Sequence, residues 1–166
     1  MPDKRTLQRA KKDEREGKSP STQAGEFVRE EMEHIRKGKH GARSAKQAIA
    51  IGLSKARRAG VKLPAPKKGT VSEETRRSAA SASRKGRRGD TDVSPKRSRA
   101  ITAALKREGH AAASKTELAK QARSAARRRG PAARSAAAKK AVRTKGSTAR
   151  SAAARKAART RATHRA

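Results

Sequence analysis

The sequence contains no cysteine, tryptophan or tyrosine, and its single aromatic residue is Phe27. Without thiols there is neither a disulfide nor a thiolate metal site. With one aromatic, the chain cannot stack successive bases on rings, the usual way in which single strands are held. Large aliphatics are scarce as well: Leu, Ile, Val and Phe together make 15 of 166 residues. That is far below the ~20% under which a highly charged chain is expected to be disordered, because so little burial cannot offset an ordering cost of ~1–2 kcal/mol per residue. No apolar run approaches the ~18 residues of a membrane span. The opening MPDKRTLQRAKKDEREGK has no apolar segment of the kind a secretory signal needs. Acidic residues are also few, 14 against 47 Lys+Arg, for a formal charge of +33. Such self-repulsion calls for a polyanionic partner.

What the chain does have is concentrated in Lys37–Gly60, KGKHGARSAKQAIAIGLSKARRAG, where an apolar stripe and a basic face share one helical period. Its tetrapeptide ARSA recurs three more times downstream. Upstream, residues 21–37 read as a helix capped by Ser21 or Thr22 and closed by Gly38. Ala24, Val28, Met32 and Ile35 share its apolar stripe with Phe27 on the flank, and Glu26, Glu30 and Glu33 lie opposite, a face expected in solvent. Residues 44–59 read as a second helix, with Ser44 as N-cap, Gly60 just past the end and Pro64 beyond. Gly52 sits mid-face in that helix at a propensity cost of ~1 kcal/mol, which points to close approach of a neighbouring helix. The loop between the two helices is short enough for an antiparallel αα-hairpin. Nine of seventeen large apolar residues, counting Met, fall between Phe27 and Leu63. A core this small invites a homodimer through the hairpin.

The expected fold class is all-α: a small αα-hairpin plus short helices, with a large disordered or conditionally helical basic portion. Residues 1–20 form a disordered polar tail, 21–63 the αα-hairpin mini-domain, and 64–93 a basic Pro/Ser/Gly linker in which a short helix from Ser72 competes with disorder. Residues 94–129 hold two short helices, one opened by Ser94-Pro95 and one by the Ser114/Glu117 capping box, pairing loosely through Ile101, Leu105 and Leu118. Residues 130–166 are a basic Ala-rich tail built on a 16-residue repeat, GPAARSAAAKKAVRTK then GSTARSAAARKAARTR, identical at eleven positions. Each copy is a Gly hinge followed by a helix former with nothing to pack on, marginal in isolation. Residues 1–92 carry 25 basic and 12 acidic residues, residues 93–166 carry 22 and 2. The shorter half therefore holds more net charge, as an interaction tail does.

No catalytic constellation emerges. His34, His40, His110 and His164 include no pair at the spacing of a helical metal pair, and no nucleophile or phosphate loop accompanies the carboxylates. The expectation is no enzyme, no cofactor and no metal. The cations point instead to phosphate. In the first half these are Lys37, Lys39, His40, Arg43, Lys46, Arg57 and Arg58; then Lys96 and Arg97; then Arg134, Lys139, Lys140, Arg143, Arg150, Arg155, Lys156 and Arg159 in the tail. Counterion release gives such a set duplex affinity without a base code.

Two resemblances follow from these residues. HIRKGKHGARSAKQAIAIGLSKARRAG with its Pro-rich basic sequel resembles a small, functionally uncharacterised bacterial domain family of short basic proteins, over Phe27 to Lys68. The Ala/Lys/Arg-rich remainder is similar to bacterial histone H1-like nucleoid proteins, and Ser94-Pro95-Lys96-Arg97 resembles the S/T-P-K/R-K/R element of linker-histone tails, beside its simpler reading as a capped helix start. The second resemblance implies duplex DNA binding and compaction in a cytoplasmic nucleoid. RNA or ribosome association, or an adaptor built on the αα-hairpin, are the competing readings. A membrane partner is not expected, since no helix joins a basic face to a large apolar one.

Overall fold

The computed structural model describes residues 2–90 and 94–163 and contains helices and no strand among them. The end of the 64–93 linker and residues 164–166, which include His164, lie outside the described residues. Six α-helices follow one another: α1 (Lys4–Arg15), α2 (Pro20–Arg36), α3 (Ala45–Arg58), α4 (Glu73–Arg88), α5 (Pro95–Lys106) and α6 (Lys115–Thr163), with a 3-10 turn at Ala111–Ala113 before the last. The chain divides into two units, Met1–Gln121 and Ala122–Ala166.

The first unit is built on α2 and α3. Ser44 caps α3 as expected, its side chain accepting from the Gln47 N–H at 3.2 Å. At Gly52 α2 and α3 meet closely: a Cβ built on it would stand 2.7 Å from Val28 Cα. The core around this pair falls into two clusters. Met32, Ile35, Ala42 and Ala48 join Ala112 and Ala113, with Val28, Ile49 and Leu118 against them. Ala24, Phe27, Ala56 and Val61 join Ala10, with Leu7, Leu53 and Leu63 against them. Most of the buried apolar side chains are alanines, so close helix approach substitutes for side-chain bulk in filling the interior.

Three expectations are corrected here. Residues 1–20 are not a disordered tail: α1 packs on α2, burying Thr6, Ala10 and Asp13. The second half of the linker is not disordered either. Ser72 caps α4 by accepting from Thr75 N–H at 3.2 Å. Glu73 and Glu74 stand in its first turn and Lys85, Arg87 and Arg88 in its last, matching the helix dipole. Ala79 and Ala82 are buried along α4, which packs on α3, and Gly86 lets the α4 backbone rest on the Arg57 carbonyl. Third, Ile101 and Leu118 do not pair. Ile101 is exposed and α5 buries nothing, whereas Leu118 serves the α2–α3 core.

In the second unit the backbone is helical through the repeats, where a disordered or conditional tail was expected. Alanine supplies the reason, being the strongest helix former with no side-chain entropy to lose. The two repeat glycines do act as hinges: Gly130 (φ 72°) and Gly146 (φ 67°) break the helical path inside α6.

Candidate nucleic-acid interface

The basic loop between α2 and α3 is held in place. Gly41 N–H donates to the Leu105 carbonyl at 2.9 Å and Ala42 N–H to the Gly109 carbonyl at 3.0 Å. Gly41 presses on the Glu108 carbonyl so closely that no side chain fits there. Arg36 Nε adds a bond to the Ala113 carbonyl at 3.0 Å. From this fixed loop Lys37, Lys39, Arg43 and, in the first turn of α3, Lys46 are exposed, as is Arg58 at the far end of α3. Arg43 stands 3.7 Å from Glu108. Lys96 and Arg97 are exposed in the first turn of α5, with the Arg97 N–H directed at the Ser94 hydroxyl, the capped-start reading of that tetrapeptide.

Two expected phosphate ligands are placed elsewhere. Arg57 is 7% exposed, and its guanidinium donates to the Pro64 carbonyl at 3.2 Å. Burial lowers its pKa from the usual arginine value. The arginine thus anchors the Leu63–Pro64 segment to α3. Its neighbour Arg58 points outward because one residue is 100° of helix. His40 is turned inward, with Nε2 3.3 Å from Glu31 Oε1.

In the second unit Arg134, Lys139, Lys140, Arg143, Arg150, Arg155, Lys156 and Arg159 are all exposed. Arg134 and Arg150 each make one contact to a backbone carbonyl, of Ala126 at 3.4 Å and Gly146 at 3.1 Å. Residues 122–166 contain fifteen Lys+Arg and no Asp or Glu. No carboxylate of that unit competes with an external anion for these cations.

The sequence reading missed a cluster inside the first unit. Glu30 and Glu31 are 5% and 0% exposed, so part of the acidic face assigned to solvent is buried. Asp3, at the head of α1, covers it: its N–H donates to Glu30 Oε2 at 3.2 Å, and its carboxylate accepts from His34 Nε2 at 3.4 Å. This bond to His34 holds the Asp3 carboxyl below its ordinary value. Lys55 reaches across from α3, its Nζ 2.6 Å from Glu31 Oε2 and 3.8 Å from Glu30 Oε1. The signal available beforehand was Glu31-x-x-His34, an i, i+3 pair on one helix face, which a search for histidine pairs alone passes over.

Residues 19–68 match the model of a family of unknown function, DUF6496. The match spans α2, the basic loop, α3 and the Pro-rich segment after it, so it covers the stretch that carried the first resemblance. It covers α2 and α3 but neither α1 nor the repeats of α6. No curated protein and no solved structure matches the chain.

Proposed function

We propose that this protein binds duplex nucleic acid through its phosphates, without base readout and without catalysis, as a histone-like DNA-binding and DNA-compacting protein. The observation that carries the proposal is the second unit: fifteen cations, no acid, and an Ala-rich helical backbone with basic side chains exposed on all sides. A helix rises ~1.5 Å per residue, so one 16-residue repeat reaches about 24 Å along a polyanion whose charges fall every ~1.7 Å. Cations on every side of such a helix allow it to contact more than one duplex, and two repeats joined by Gly146 add avidity. The loop cations Lys37, Lys39, Arg43 and Lys46 form a smaller, fixed contribution. Because one aromatic is present and it lies in the core, single-strand stacking is disfavoured and duplex contact favoured.

The test is a parallel titration of the full chain against duplex DNA of two unrelated sequences, structured RNA and anionic vesicles at one salt concentration. Equal affinity for both DNAs, above that for RNA and vesicles, is the expected outcome. Tighter binding to RNA sinks the DNA reading in favour of an RNA-associated protein, and tighter binding to vesicles sinks both.

A further inference from the structure

The cluster formed by Asp3, Glu30, Glu31, His34, His40 and Lys55 has no part in phosphate binding, and its charges do not balance. Three carboxylates face the ammonium of Lys55, with Lys39 acting on the outermost, Asp3, so negative charge is left over when the histidines are neutral. Glu31 has no exposed surface, and neither of its oxygens has a hydrogen-bond partner, although Lys55 pairs with Oε2 as an ion. A buried carboxylate in this state is costly.

The bonding of His40 sharpens the point. Its Nδ1 lies 3.0 Å from the Gly41 carbonyl, which can only accept, so Nδ1 carries the proton. In the neutral ring the lone pair is then on Nε2, 3.3 Å from Glu31 Oε1. Two lone pairs facing each other at this distance, one of them on a fully buried carboxylate, require a cation to join them. A metal at bond lengths of ~2.0–2.2 Å in tetrahedral geometry sets its ligand atoms about 3.3–3.6 Å apart, and this separation falls at the short end of that range. His34 completes the set: one ligand atom each from Glu31, His34 and His40 lies within 4.8 Å of the others. Both rings are oriented by outside acceptors, His40 by the Gly41 carbonyl and His34 by the Asp3 carboxylate, the support that metal-bound histidines require. Asp3 is solvent-exposed and gives the cluster an open side.

We propose that Glu31, His34 and His40 bind one divalent transition cation of the zinc class, with Asp3 as the outer-shell partner of His34. The bound ion supplies the missing positive charge and ties the interhelical loop to α2. Glu30 and Lys55 complete the charge balance, Lys55 occupying the Glu31 oxygen that the ion does not use.

The experiment uses the full chain titrated with Co2+ and followed by visible absorption, with Zn2+ competition. The expected result is one Co2+ per chain with the intense bands of a tetrahedral nitrogen/oxygen site, displaced by Zn2+. His34→Ala and His40→Ala should each weaken Co2+ binding by more than about 100-fold, beyond the ~10–100-fold loss expected of Asp3→Asn, an outer-shell change. His110→Ala, outside the cluster, should bind as the native chain does. Absence of tetrahedral bands in the native chain overturns the proposal, as does undiminished binding in the His34/His40 double variant. Should those variants unfold, ring nitrogen NMR of the native chain decides: Zn2+ must shift the His40 Nε2 signal, and rings unmoved by Zn2+ leave the buried cation a proton and the proposal wrong.

Discussion

Gly52 shows how much one residue sets in a chain so poor in large side chains. Its hydrogen lets α3 approach α2 until a Cβ would stand 2.7 Å from Val28 Cα and 3.0 Å from its nitrogen. Gly52→Ala gains about 1 kcal/mol of helix propensity but forces the helices apart, an overpacking cost of about 1–3 kcal/mol. A net destabilisation of up to about 2 kcal/mol is expected in denaturant unfolding, and a stabilised variant would show that the close approach is not needed. The role of Gly52 was legible because a glycine in the middle of an apolar helix face has few other uses. Glu30 and Arg57 were misread, and Glu31 passed over, for the opposite reason. A single-helix wheel cannot say that a charged side chain is covered by partners distant in sequence, here Asp3 and Lys55 for the two glutamates and Pro64 for the arginine.

At the scale of elements, α2 could be read from periodicity and the glycine after it, though its N-cap is Ser19 before Pro20 and not Ser21 or Thr22; α3 could be read from periodicity, its Ser44 cap and Gly60, and the α5 start from Ser94-Pro95. Helix α1 could not, and α4 only as a short helix from Ser72 in competition with disorder. Their buried faces are made of Thr6, Ala10, Asp13, Ala79 and Ala82, which give almost no hydrophobic signal. Their apolar partners sit on α2 and α3, so their helicity is a tertiary fact. The start of α4 nevertheless carries a local signature that can be tested. Glu73 accepts from Arg76 Nε at 2.9 Å through both oxygens, and this bond lowers the Glu73 pKa from 4.5. A carboxylate with a depressed pKa contributes its stabilisation above the unfolded value, and the contribution fades as pH falls through the lower folded value. The Glu73 carboxyl resonance should therefore titrate with a midpoint below 4.5, and Arg76→Ala should return that midpoint toward 4.5. Equal midpoints in the two proteins would remove the pair from the description of α4. The effect on stability is small, because both side chains are solvent-accessible.

For the whole molecule, composition correctly indicated an all-helical chain with a small core and a strongly cationic C-terminal region, and it misjudged how much of the chain would be ordered. The rule applied was that few large apolar residues mean disorder. It underweights alanine, which packs helices closely in the first unit and sustains helices without packing in the second. Among the described residues no helix is long and apolar enough to cross a membrane. Phosphate neutralisation by the second unit is the central functional claim, and salt dependence reads it directly. Affinity for duplex DNA should be measured across a range of salt concentrations for the full chain and for a variant with Arg134, Lys139, Lys140, Arg143, Arg150, Arg155, Lys156 and Arg159 changed to Gln, a residue that preserves helix propensity. Each phosphate contact contributes about −0.9 to the slope of log K against log salt. The expected result is a steep slope for the native chain and one shallower by several units, up to about 7, for the variant. Equal slopes and equal affinities would contradict binding through the basic repeats.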